Sequence, residues 1–212
     1  MGTIKYQPQF DNQNVEIKSE EKVFNGFFKV NKITFRHALF EGGTSDWVSR
    51  EIFERGDAVA VLPYDAKLQK VVLVEQVRIG AARTKSSPWL LEVIAGMVDK
   101  SHEVLEDVAR REALEEANLV VDKLMPMLSY LSSPGGTSER LYLYLALVDS
   151  QGVSGVFGLD DEHEDIKVHA LDVGETFELL DAGVIDNAAT VISLQWLRLN
   201  KEKIDRQVKE DS

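Results

Sequence analysis

The sequence predicts a mixed α/β (α+β) protein, in which a small antiparallel β segment precedes a larger body with a mixed sheet flanked by helices. Three observations carry this. Short runs rich in β-formers alternate in polarity through the first 80 residues. The stretch Glu103 to Ala117 changes to helical spacing. Strands and helices then interleave without regular βαβ repeats, which favours a mixed sheet over a parallel one.

Taken in order, residues 1 to about 12 are polar, carry Pro8 and Asn12, and are expected to fray. Val15–Val23, Phe27–Phe40 and Trp47–Phe53 read as three strands, separated by Asn25-Gly26 and by Glu41-Gly42-Gly43-Thr44. So short a meander buries little surface alone, and residues 1–55 are expected to pack on the rest of the chain or on a second subunit. Residues 56–212 form the second predicted domain. Ala58–Pro63 and Lys70–Val77 form a hairpin across Tyr64-Asp65-Ala66-Lys67. Pro88–Gly96 is one compact apolar run.

Val104, Leu105, Val108, Ala109 and Ala113 then recur at helical spacing, and Asn118 can close that helix in the left-handed conformation. Leu124–Leu131 and Leu141–Val148 alternate again as strands around the loop SSPGGTSE. A Gly-rich stretch, Gly152–Gly158, leads into the acidic run LDDEHED, and two helices follow at about Val173–Ala182 and Ala188–Lys203.

Composition excludes several classes of function. With 24 Lys plus Arg against 36 Asp plus Glu, the formal charge of −12 opposes sequence-independent binding to nucleic acid or anionic lipid. An anionic small molecule remains possible where cations gather locally. No run approaches the eighteen or so apolar residues of a membrane span. The amino terminus lacks a basic start followed by an apolar stretch, and the cysteine count is zero, so disulfides, thiolate metal sites and cysteine nucleophiles are unavailable and the cytoplasm is the expected compartment.

The most informative segment is the helix REALEEANL. At about 100° per residue, Glu112 and Glu116 fall on the same arc as Leu105, Val108 and Ala109. A solvated acidic face, with Arg111 pairing to Glu115, should instead lie opposite the apolar stripe. Glu112, Glu115 and Glu116 crowd one surface near a helix carboxyl end, where like charges and the macrodipole both disfavour anions. A cation must compensate. Hard oxygen ligands without cysteine favour Mg²⁺ or Mn²⁺, ions that bridge carboxylates and phosphates.

These residues resemble the Nudix box, G-x5-E-x7-R-E-U-x-E-E-x-G-U with U apolar, through Gly96, Glu103, Arg111, Glu112, Ala113, Glu115, Glu116 and Leu119. There are two departures. Gly96 stands one residue further from Glu103 than the pattern asks, and Asn118 replaces the second glycine. Asn is the next best residue for a left-handed cap. The stretches REIFERG, EQVRIGA, PWLLEVIAGMVD, SSPGGTSER, GLDDEHEDI and IDNAATVISLQWL extend the likeness to the ADP-ribose pyrophosphatase branch.

That resemblance implies an αβα sandwich preceded by a small β domain, a homodimer with exchanged amino-terminal domains, and Mg²⁺-dependent hydrolysis of ADP-ribose to AMP and ribose 5-phosphate. By matching position it implies metal ligation by Glu112, Glu116, Glu164 and the Ala95 carbonyl. Glu162 matches the general base of the branch, with Glu115 or Glu139 as alternatives. Arg111 is expected to orient Glu115 or Glu116, and His163 to be a passenger. Ser133, Gly135 and Glu139 would line the substrate site, with Met97 beside it. Arg50, Glu51, Arg55 and Arg78 would recognise the rest of the nucleotide, with Phe27 and Phe28 as stacking surfaces. ADP-glucose or another nucleotide sugar is the alternative substrate, and a non-catalytic ADP-ribose sensor the alternative class.

Overall fold

A computed structural model describes residues 6–98, 103–121, 123–159 and 163–210, which form two compact units. The first comprises residues 6–55 together with Ser133–Glu139. Its antiparallel sheet has the order β1 (Val15–Asn25), β2 (Lys29–His37) and β3 (Val48–Glu54). Glu16 stands opposite Arg36 in the β1–β2 register and forms an ion pair with it at 2.5 Å. β1 is exposed along its whole length, including Ile17, Val23 and Phe24. Residues 133–139 join this unit because the Phe53 amide donates to the Gly136 carbonyl at 2.8 Å and Phe53 bridges Thr137 in parallel.

The second unit, residues 56–132 and 140–210, is built on one mixed sheet. Its strands are β4 (Ala58–Asp65), β5 (Lys70–Val77), β6 (Trp89–Glu92), β7 (Ile94–Met97), β8 (Lys123–Leu131), β9 (Arg140–Leu147), β10 (Gly155–Phe157) and β11 (Ile166–Asp172). The main path is β10-β11-β5-β4-β9-β8, with β6 added to β5 and β7 to β4. Only the β4–β9 pair among these is parallel. Both faces of the sheet are covered, so central β4 and the apolar stretch of β5 read as nearly continuous hydrophobic runs. Val59, Val61, Val72, Val74 and Ile94 pack on one face against Val108, Ala109 and Ala113 of α1 (Leu105–Ala117). Ala60, Leu62, Leu73, Leu143 and Leu145 pack on the other against Val173 and Leu180 of α2 (Val173–Asp181) and Leu194, Leu197 and Ile204 of α3 (Ala188–Glu210). This is an αβα sandwich.

Two elements depart from the sequence reading. The run Pro88–Gly96 is two strands, because β6 pairs with β5 while β7 pairs with β4. Val93, at the break, gives its amide to the buried Thr190 hydroxyl at 2.8 Å, and the Leu91 carbonyl accepts from the Asn187 side chain at 2.8 Å. Helix α3 thus satisfies backbone groups that the divided strand leaves unpaired. The second departure is β10 with β11, where the reading passed from acidic loop straight to helix. Ile166 and Val168 are buried with Lys167 exposed between them, a period-two signal masked by the charge run before it.

Candidate active site

Helix α1 carries the acidic side chains inward. Asn118 ends it in the left-handed conformation (φ 51°, ψ 38°), its amide reaching the Ala113 and Leu114 carbonyls, while Leu119 also returns to Ala113. Glu106 and Asp107 in the first turn complement the dipole. The buried stripe runs Val108, Ala109, Glu112, Ala113, Glu116, Ala117, so the two glutamates occupy core positions beside β7. Glu116 retains 4% exposure and Glu112 9%.

Gly96 explains how Glu112 fits. A Cβ added there would lie 2.0 Å from both Cδ and Oε1 of Glu112, so the carboxylate occupies the space a side chain would take. The next residue back, Ala95, donates its amide to Glu116 Oε2 at 3.2 Å. That single hydrogen bond does not offset the surroundings. Burial, reinforced by the neighbouring Glu112 and Glu164 charges, pushes the Glu116 carboxyl up to about 8, against the opposing pull of the Ala95 amide and Arg78. A buried acid kept protonated at neutral pH is one that a cation could ionise.

Arg111 bridges Glu112 at 2.8 Å and Glu115 at 3.1 Å. Of the two residues that Arg111 was expected to orient, Glu115 or Glu116, its contact is with Glu115, while Glu116 accepts from the Ala95 amide. Burial works against the Arg111 charge, but Glu112, Glu115 and Glu103 outweigh it and hold the guanidinium cationic. Glu164 accepts from the Leu159 amide at 3.1 Å and is folded onto its own loop. Gly158 (φ +113°) allows that fold, since a Cβ there would sit 2.6 Å from the Glu164 Cβ. Glu162 lies outside the described residues, as does most of the insertion between Gly96 and Glu103. His163 is exposed.

Among the described residues, no three His, Asp or Glu side chains already converge as a metal cage. Glu112 is held by Arg111, Glu116 by the Ala95 amide and Glu164 by the Leu159 amide. Arg78 stands at the end of β5, half exposed, with its Nε donating to Glu92 Oε2 at 2.7 Å. Met97 is partly buried on β7 opposite Ala58.

The first unit gathers its own set. Phe28 packs edge-on against Phe27 (4.8 Å between centroids) and Phe53 (5.0 Å), while the Arg55 guanidinium stands 5.7 Å over Phe28. Arg55 Nε also pairs with the buried Glu139 at 3.0 Å. Phe28 is thus already stacked within the unit, whereas Phe27 is 83% exposed. Arg50 and Glu51 are exposed on β3, and Arg50 donates to the Ser49 carbonyl at 2.8 Å. Ser133 opens a tight turn, its carbonyl accepting from Gly136 and Thr137, and Gly135 within that turn is open to solvent.

Sequence reasoning gave no role to Glu92. Its signal was present as a lone acid inside the apolar run WLLEVIAG, a pattern that asks for a cationic partner.

The fold and the inward glutamates define a family that the comparisons make plain. The NUDIX domain family matches residues 54–191, and the chain belongs to it. It is 48% identical over 93% of its length to a protein of Escherichia coli (strain K12) named ADP-ribose pyrophosphatase, covering 94% of that protein. A Haemophilus influenzae protein of the same name is 47% identical, with 94% of this chain and 93% of the relative covered. A GDP-mannose pyrophosphatase of Escherichia coli O1:K1 / APEC is 28% identical over 89% of this chain and 97% of its own. A crystal structure described as an ADP compounds hydrolase shares the fold, with a TM-score of 0.69 at 19% identity over 92% of this chain and 98% of its own.

Proposed function

We propose that this chain hydrolyses the pyrophosphate bond of ADP-ribose to AMP and ribose 5-phosphate, using Mg²⁺, with Mn²⁺ as a substitute. The observation that carries the substrate is the 48% identity over nearly the whole chain to ADP-ribose pyrophosphatases, against 28% to a GDP-mannose pyrophosphatase. The donor set fits a hard divalent ion: Glu112 and Glu116 offer buried carboxylate oxygens, and the proton burdening Glu116 is one that such an ion would displace. Glu112 and Glu116 would hold it, joined by the Ala95 carbonyl and Glu164.

When bound, the ion supplies charge neutralisation at the diphosphate oxygens and a lowered pKa for water. Glu162 removes the proton from the attacking water as its oxygen bonds to phosphorus and the bond to the leaving phosphate breaks. Arg111 holds Glu112 and Glu115 in fixed relation, which keeps the carboxylate edge from reorganising during the reaction. Arg78 adds positive charge where the diphosphate is anionic, and the other substrate-binding residues keep their assignments. A homodimer is supported by the exposed apolar residues of β1, a pattern that asks for a covering surface; light scattering tests it. The cytoplasm is the proposed compartment, tested by cell fractionation.

The deciding measurement is AMP release from ADP-ribose and ADP-glucose, and GMP release from GDP-mannose, each with and without Mg²⁺. The highest kcat/KM is expected for ADP-ribose, with turnover abolished by chelation. A higher kcat/KM on another nucleotide sugar, or binding without turnover, would replace the proposal.

A further inference from the structure

We propose that Glu92 is a positioning residue that fixes Arg78 as an anchor for the anionic diphosphate of the substrate. The inference rests on the hydrolase reading above and deepens it.

Glu92 sits at the last position of β6, where the chain leaves β5 for β4. Both neighbouring backbone groups are tied to the start of α3: the Leu91 carbonyl to Asn187, just before the helix, and the Val93 amide to Thr190 within it, each at 2.8 Å. Asn187 is itself set by accepting the Thr190 amide at 3.1 Å. A carboxylate bracketed in this way has little freedom to wander. Its side chain retains 14% exposure, and among the described residues its one charged partner is Arg78.

The contact is made through Nε at 2.7 Å. A guanidinium has five N–H donors in a planar fork, so a carboxylate gripping the Nε edge leaves the terminal NH₂ groups for another acceptor. Those groups are accessible, since the Arg78 side chain is 45% exposed. The backbone of Arg78 is pinned as well, its amide donating to Pro88 at 2.8 Å. In the antiparallel register Val74 faces Glu92 and Gln76 faces Leu90, which puts Arg78 and Glu92 on the sheet face of Val72 and Val74, the face that α1 covers. A free surface ion pair would be worth little and need not be directed anywhere. Here one partner is fixed at both flanking peptides, and the other keeps donors unused by Glu92 on a residue that the register places on the α1-covered face. The ligand matching that fork is an anion with paired oxygens, and the proposed substrate brings a diphosphate.

A double-mutant cycle at saturating Mg²⁺ with ADP-ribose tests this. Glu92→Gln keeps the shape of the side chain and removes its charge. It is expected to raise KM roughly tenfold with kcat within about twofold, the pattern of a lost ground-state contact. Arg78→Ala should raise KM at least as much, and the double variant no further than Arg78→Ala alone. Arg78→Lys, which keeps the charge but lacks the planar fork, should resemble Glu92→Gln. Unchanged KM in Glu92→Gln, or effects that multiply in the double variant, would overturn the proposal, as would a fall in kcat and thermal stability with KM unmoved. Failure of the wild type to hydrolyse ADP-ribose would strike the functional reading separately. The same cycle read as ADP-ribose binding by calorimetry would then decide on Arg78 and Glu92, with no binding or independent effects counting against them.

Discussion

Replacing Gly96 by alanine places one carbon where Glu112 already lies. The new Cβ would meet Glu112 Cδ and Oε1 at 2.0 Å and Cγ at 2.5 Å, while ordinary contact begins near 3.4 Å, so the carboxyl must retreat by roughly 1.4 Å. The alternative, moving β7 away, would break its pairing with β4 from Ala58↔Met97 to Val61↔Ile94. Overpacking of this kind costs about 1–3 kcal/mol of stability. The catalytic cost is larger, because a misplacement of about 1 Å can reduce turnover on the order of a hundredfold. Gly96→Ala should therefore remain folded, with a thermal midpoint lowered by several degrees, and lose about two orders of magnitude in kcat for ADP-ribose. Glu112→Gln, which adds no volume, should lose comparable activity with little change in midpoint. Gly96→Ala activity within twofold of wild type would refute the idea that the glycine exists to admit Glu112.

Three further outcomes are expected. Because the Glu116 carboxyl is raised from 4.5 to about 8, its contribution to stability is complete below 4.5 and is lost as pH rises through 8. Mg²⁺ binding must displace that proton, so apparent affinity should fall up to about tenfold per pH unit below 8, read by calorimetry in buffers of different ionisation enthalpy; a pH-independent affinity would exclude the proton. Glu162→Gln should lower kcat about 10²–10⁴-fold while ADP-ribose binding stays measurable, and unchanged turnover would move the base to Glu115 or Glu139. Asp65→Asn should cost about 1–3 kcal/mol by urea denaturation at pH 7. The wild-type contribution of Asp65 is present above its unfolded value near 3.8 and is lost as pH falls, so the variant's deficit should shrink in acid.

The inward-facing acidic helix was legible because its period and its acidic residues conflicted: Glu112 and Glu116 took positions that Val108 and Ala109 mark as core. Local signals also set Asn118 as its terminus. Pairing partners were not legible. Nothing within WLLEVIAG says that Glu92 belongs to a strand on β5 and Ile94 to a strand on β4, because the groups that stabilise the switch, Asn187 and Thr190, lie nearly a hundred residues away. For the same reason SSPGGTSER was legible as a loop between two strands but not as a partner of Phe53, more than eighty residues away. The orientation of Glu164 depends on Gly158, whose positive φ is not apparent until the chain closes around it.

Two buried carboxylates, Asp65 on β4 and Glu116 on α1, sit in contrasting environments. Asp65, 2% exposed at the end of β4, accepts hydrogen bonds from the amides of Lys67, Leu68 and Ser150 and from the Ser150 hydroxyl, at 2.8–2.9 Å. Burial alone would raise its pKa, but these donors reverse the sign and hold the carboxylate ionised. Glu116 is buried to nearly the same degree beside Ala95, which pairs with Ala60 on the same strand, yet it has one amide donor and two acidic neighbours. The environment of Asp65 is closed: every interaction an anion needs is supplied by the fold, and a cation would add nothing. That of Glu116 is open, since the fold takes the carboxylate out of water without replacing what water gave. Keeping such a residue ionised requires positive charge from outside the chain, whereas Glu112, lodged against Gly96 one turn earlier on α1, already has the Arg111 guanidinium at 2.8 Å. On the proposed function, that deficit at Glu116 is what would draw a divalent cation to this end of the sheet, while the acid five residues further along β4 remains part of the scaffold.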